Sequence, residues 1–142
     1  MAPSAQDAAA HAGNGDTVIG WKLDPSQRTE LLQQFPPRFK NPLADHVTLQ
    51  SRAAEDAALP EETIGEIVGR THDGRGVEAL VVSIGGTTHR PDGSTYHITW
   101  SLEEGRQARE SNDVLAERGY EEFDLPMPVQ LIPARWARRS AA

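Results

Sequence analysis

The sequence predicts an α+β domain in which strands outnumber helices. Three observations carry this expectation. Two stretches, Asp45-His46-Val47-Thr48-Leu49 and Tyr96-His97-Ile98-Thr99-Trp100, repeat the order His, apolar, Thr, apolar. Two stretches that read as strands, Thr63 to His72 and Val77 to Ile84, flank Asp73-Gly74, a strong hairpin signal. Two short segments carry helix start and stop residues.

Taken in order, residues 1–16 are rich in Ala, Gly and Asp, lack periodicity and read as a disordered tail. Residues 17–142 then form one domain. Thr17 to Leu23 reads as the first strand. Asp24 suits an N-cap, Pro25 the first helical position and Gln27 a capping box. That helix buries Leu31, Leu32 and Phe35, and Pro36-Pro37 ends it. A basic loop, Arg38 to Pro42, leads into the first His-Thr strand. Residues 51–62 are a polar connection with room for a helical turn. Val77 to Ile84 is apolar on both faces towards its end, as in a central strand. Gly85 to Gly93 is a loop that feeds the second His-Thr strand; it reads most simply as a mobile surface loop, with His89 and Arg90 as candidates to border a substrate. Its glycines lack the Gly-Lys-Ser/Thr that a phosphate-cradling loop requires. Ser111-Asn112 caps a helix through Arg118, and Gly119 stops it. Met127 to Trp136 is a proline-punctuated strand, expected at a sheet edge.

Composition narrows the function. The chain has 142 residues, 37% hydrophobic and 25% charged, enough for one core. It has no cysteine, so no disulfide framework and no thiolate metal site. No apolar run approaches the ~20 residues that span a bilayer. The start lacks a signal-peptide pattern. A cytoplasmic location and no membrane partner are expected. The net charge of −7 argues against a broad nucleic-acid surface.

The repeated motif carries the chemistry. Strand side chains alternate, so His and Thr two apart share one face while the apolar residues enter a core. Two copies facing one cleft offer a phosphate two acid-base groups and two hydroxyls. Imidazole titrates near ~6.5, so a neutral and a protonated copy coexist near neutral pH. One takes a proton from attacking water and the other gives a proton to the leaving oxygen. The hydroxyls steady charge on the non-bridging oxygens. Two His without a third ligand at metal spacing make a poor zinc site, so neither metal nor cofactor is expected. A single motif of this kind is most simply a strand with a satisfied imidazole and a strand-favouring Thr. The pair is what points to a site.

With both motifs in hand, the chain resembles the two-histidine (2H) phosphoesterase superfamily, whose signature is two His-apolar-Thr/Ser-apolar motifs. It is most similar to the branch of 2′,3′-cyclic nucleotide phosphodiesterases and tRNA-ligase end-healing domains. Phe35-Pro36-Pro37-Arg38-Phe39 ahead of the first motif adds to the likeness. So does Ser101, followed by a loop into Ser111-Asn112-Asp113-Val114-Leu115. The resemblance covers most of residues 17–136. It implies an α+β fold of two pseudo-symmetric lobes of antiparallel sheet, with flanking helices, around a central cleft. It implies metal-independent attack on a phosphodiester, commonly a 2′,3′-cyclic phosphate. Carried over, His46 and His97 are the acid-base pair, and Thr48 and Thr99 bind phosphoryl oxygens. Arg38, Lys40, Arg90 and Trp100 are the expected substrate contacts, the substrate being a nucleotide or RNA end. A second reading is a non-catalytic module that keeps the cleft and binds a nucleotide or RNA end. Matched acid-base residues in both copies favour the enzyme, because binding alone does not need them.

Overall fold

The structure, a computed structural model, describes residues 2–138. In chain order its elements are α1 (Ala5–Ala10), β1 (Thr17–Leu23), α2 (Pro25–Gln34), β2 (Asn41–Pro42) and β3 (His46–Ala53). There follow β4 (Ile64–His72), β5 (Val77–Ser83), β6 (His97–Leu102), α3 (Glu110–Arg118) and β7 (Glu121–Ala137). The strands form one antiparallel sheet in the order β2-β6-β5-β4-β7-β1-β3. The sheet curls, so that β3 at one end meets β6 near the other. The expected pair of lobes is here one continuous half-barrel.

Its core is the concave lining of that curl. Trp21, Val47, Leu49, Ile67, Leu80, Ile98 and Trp100 are fully buried. Trp21 and Tyr96 pack edge to face, with centroids 5.8 Å apart. Strand β5 lies between β4 and β6 and is buried on both faces, which explains its apolar run from Ala79 to Val82. The β4–β5 hairpin turns through Asp73–Gly76. The Asp73 carboxylate accepts from the backbone N–H groups of Arg75 and Val77.

Strand β7 corrects an expectation. Its prolines suggest an edge, yet it lies between β4 and β1. The reason is its length of 17 residues. Its first part pairs with β4 as far as Gln130, and Leu131 to Ala137 pair with β1. Each half therefore keeps a free side, where a proline without N–H is tolerated.

Residues 2–16 also depart from expectation, for they are not a free tail. Ser4 caps α1 by accepting from the Asp7 N–H, and alanine is the strongest helix former. Ala5, Ala8 and Ala12 are buried against the domain. The Ala54 N–H donates to Ala12 O (2.7 Å), and the Glu61 N–H to Pro3 O (2.6 Å). Alanine buries too little area to leave an amphipathic signal, so composition alone hides this contact. Deleting residues 2–12 should lower stability by about 1–3 kcal/mol. Urea unfolding measures it, and an unchanged midpoint would show that the segment adds nothing.

Helix α2 starts as its sequence specifies: Asp24 accepts from the Gln27 N–H at 3.0 Å. The Gln27 side chain does not return to the cap. Its Nε2 donates to Pro128 O and its Oε1 accepts from the Gln130 N–H, which joins α2 to β7. Glycine is required at position 20, where β1 passes β3. A Cβ there would collide with Val47 O and lie 3.1 Å from Thr48 Cα. Gly20→Ala must therefore push away the strand that carries His46 and Thr48. A loss of about 1–3 kcal/mol is expected in urea unfolding.

Candidate functional site

The two His-Thr strands reach one cleft by a definite route. After β2, the chain continues along β6: the Leu43 N–H donates to Trp100 O and the Ala44 N–H to Thr99 O. It then leaves β6 and joins β1, with Lys22 opposite His46 and Gly20 opposite Thr48. The turn falls at Ala44, the only non-glycine residue with positive φ (47°) among the described residues. Arg28 of α2 holds that turn by donating to Ala44 O (2.8 Å) and Leu43 O (2.9 Å). His46 is thereby delivered beside β6, whose first residue is His97.

His46, Thr48, His97 and Thr99 line a single cleft of about 750 Å³. Val47, Leu49, Ile98 and Trp100 are fully buried on the other side of their strands. The cleft is completed by Ser51 of β3, by Arg90, Asp92 and Ser94 from the loop before β6, by Ala108, Arg109 and Asn112 around the start of α3, and by Arg138. Arg106 fixes the loop ahead of Arg109 by bonding Asp73 (2.9 Å) and Glu110 (3.1 Å).

The imidazoles have different neighbours. His97 Nδ1–H donates to Thr95 O at 2.8 Å, which makes Nε2 the free acceptor of a neutral ring. Burial pushes its pKa down to about 4; the Thr95 bond opposes this, while Arg90 and His46 add to it. His46 Nδ1 lies 3.1 Å from Asp45 Oδ2, and its ring meets Trp136 at 4.9 Å. Burial lowers the His46 pKa too, and Asp45 offsets part of the shift. For Asp45, burial raises the pKa, but hydrogen bonds from Lys22 (2.6 Å) and His46 outweigh it. One imidazole is thus backed by a carboxylate and the other by a neutral carbonyl.

The hydroxyls differ as well. Thr99 donates to Ala108 O (3.2 Å) and meets the buried Ser111 hydroxyl at 2.9 Å. This is where Ser111 acts, one residue inside α3. The helix begins at Glu110 and has no side-chain cap. Among the described residues, none takes up the Thr48 hydroxyl.

Of the other expected contacts, Arg90 is in the cleft. Its side chain is 7% exposed, with Nη2 3.4 Å from Leu49 O and 3.5 Å from Asp92, and Nε without a partner. Arg38, Lys40 and Trp100 are not. The Arg38 N–H donates to Glu78 and the Phe39 N–H to Ser101, which seats this loop near the far end of β6. Ser101 is four residues beyond His97, about 13 Å along a strand. Trp100 faces the core, where its Nε1–H donates to Phe35 O at 2.8 Å. His89 lines other hollows of the surface.

The sequence reading missed Arg109, Asn112, Arg138 and Trp136. Asp45, directly before His46, was a visible signal, because an adjacent carboxylate is a common partner for imidazole. Arg109 and Arg138 left no signal, since they reach the cleft only through the folded α3 loop and the end of β7. Among the described residues, no three His, Cys, Asp or Glu side chains come together where they could hold a metal ion. No helix among them is long and apolar enough to cross a membrane. Comparison with protein-family models, curated proteins and solved structures finds no match for this chain.

The depressed His97 pKa predicts an acid sensitivity. Unfolded His97 takes up a proton as pH falls through ~6.5, whereas the folded ring resists until about 4. Stability is therefore complete above ~6.5 and is lost as pH falls towards 4. The expected loss is about 1–3 kcal/mol, reduced in His97→Gln. Urea midpoints at pH 7 and pH 4.5 for both proteins measure the difference.

Proposed function

We propose that this protein is a cytoplasmic phosphodiesterase that opens a 2′,3′-cyclic phosphate, or a related phosphodiester of a nucleotide or RNA end, by two-histidine acid-base catalysis without a metal. One observation carries the reading: His46, Thr48, His97 and Thr99 line the same cleft. Arg90, Arg109 and Arg138 supply the positive charge that an anionic phosphodiester needs, against one acid, Asp92. The finer likeness to two lobes rests on β7, whose two halves pair with β4 and β1 and so join a β4–β6 half to a β1–β3 half.

The neighbours of each ring assign its role. His97 is the base: a neutral ring with Nε2 free takes a proton from water as the water oxygen attacks phosphorus. His46 is the acid: its imidazolium is supported by Asp45 and gives its proton to the ribose oxygen as the P–O bond breaks. A bound phosphodiester is a second negative neighbour and, with Asp45, opposes the lowering of the His46 pKa by burial. Thr48 donates to a phosphoryl oxygen. Thr99 does so by turning its proton away from Ala108 O, with Ser111 still donating to it.

The test is turnover of nucleoside 2′,3′-cyclic phosphates in EDTA. Activity should persist there, and complete loss restored by zinc or manganese would sink the mechanism. His46→Ala and His97→Ala should each cost about 10²–10⁴-fold in kcat/KM. The double variant should fall short of the product of the singles. With His97 near 4 and His46 below 6.5 in the free protein, kcat/KM should be bell-shaped with its maximum on the acid side of neutrality. A well-folded His97→Ala protein with wild-type turnover would end the assignment.

A further inference from the structure

A second hollow, of about 830 Å³, opens beside His46 and shares His46, Ala108 and Arg138 with the cleft. Its walls are the Trp136 indole with Leu43, Ala108 and Ala137, and its polar rim is Lys22, Asp45 and Arg138. Trp21 and Trp100 are fully buried, so Trp136 is the one tryptophan that meets the surface. Lys22 Nζ stands 4.5 Å from its ring centroid and His46 packs edge-on, which fixes the indole. Apolar walls, one fixed aromatic ring and a few polar groups at the rim are the usual make-up of a small-ligand pocket.

We propose that this hollow is a nucleobase subsite, with Trp136 as its stacking wall, so that the substrate is a nucleoside or terminal-nucleotide phosphodiester and not a base-free one. The inference rests on the phosphodiesterase reading and deepens it. Two lines of geometry agree. In a 2′,3′-cyclic phosphate both ester oxygens belong to one ribose, so the base lies on the side of the leaving oxygen. That is the side of the acid, His46, where the hollow opens. Attacking water arrives from the His97 side, which contributes nothing to the hollow. Aromatic stacking accepts any base, and Lys22, Asp45 and Arg138 stand where a base edge emerges.

Two measurements test this. Adenosine 2′-monophosphate should change the tryptophan fluorescence saturably, whereas glycerol phosphate should not, and Trp136→Phe should remove most of the change. In turnover, wild type should prefer adenosine 2′,3′-cyclic phosphate to glycerol 1,2-cyclic phosphate. Ala137→Trp, which fills the hollow from its wall, should reduce that preference about tenfold, chiefly through KM. Equal turnover of both substrates by wild type, or equal losses on both in Ala137→Trp, would overturn the subsite and leave the phosphodiesterase standing. A saturable fluorescence response with no turnover of either substrate would support the subsite and overturn the phosphodiesterase. No response to the nucleotide in well-folded protein would overturn the subsite directly.

Discussion

The kink at Ala44 is the constraint on which the cleft depends. Upstream of it the backbone belongs to β6, and downstream it belongs to β1, so a single segment ties the two ends of the curled sheet. An alanine with φ of 47° is unfavourable by the cost of a Cβ in the left-handed region. The surroundings over-determine it. Arg28 satisfies both carbonyls that the turn exposes, Ala44 itself is fully buried, and the Leu23 N–H holds Asp45 O. An unpaired buried carbonyl costs about 1–3 kcal/mol, comparable to the backbone strain, so losing the guanidinium would release both at once. Helix α2 therefore serves the site although none of its residues lines the cleft.

A second buried polar group fixes the approach to that turn. Glu78 is fully buried and accepts from Arg70 Nη2 (2.6 Å), Ser101 Oγ (2.7 Å) and the Arg38 N–H (2.9 Å). A buried carboxylate is tolerable only when its oxygens are satisfied in this way. Ser101 in turn accepts from the Phe39 N–H, so the loop after α2 is bonded to β5 and β6 through its backbone. This explains why Arg38 and Lys40 stand apart from the cleft. Their loop is anchored at the opposite end of β6, and its position in sequence, just ahead of His46, is no guide to its position in space.

The strands were legible where local pattern decides. Thr17–Leu23, the 64–72 and 77–83 hairpin and both His-Thr strands follow from alternation and turn residues. The inward placement of Val47, Leu49, Ile98 and Trp100 follows from period two. Trp100 illustrates the limit of a motif read by proximity: an aromatic residue beside Thr99 looked like a substrate contact, yet alternation already assigned it to the core. The position of β7 was illegible because sheet order is a long-range property and a strand with two half-partners hides its prolines. Helix α1 was illegible because alanines give helix propensity without a hydrophobic stripe. Arg109, Arg138 and Trp136 reach the cleft from α3 and the end of β7, and no local spacing records that.

Two copies of one motif have become chemically unequal through neighbours outside the motif. Position −1 is aspartate before His46 and tyrosine before His97. Asp45 is held ionised by Lys22 and so can support an imidazolium, whereas Tyr96 is buried in the core. The ring of His97 instead bonds the Thr95 carbonyl, which fixes a tautomer without adding charge. Arg90, wedged beside it with its Nε unpartnered, further opposes protonation of His97 while attracting an anion. Acid-base catalysis needs one group that prefers its proton and one that does not. In the reaction proposed above, the residues on either side of the cleft, and not the motif itself, distinguish the two rings: His97 resists its proton the more strongly, and His46 with Trp136 stands on the side assigned to the leaving group.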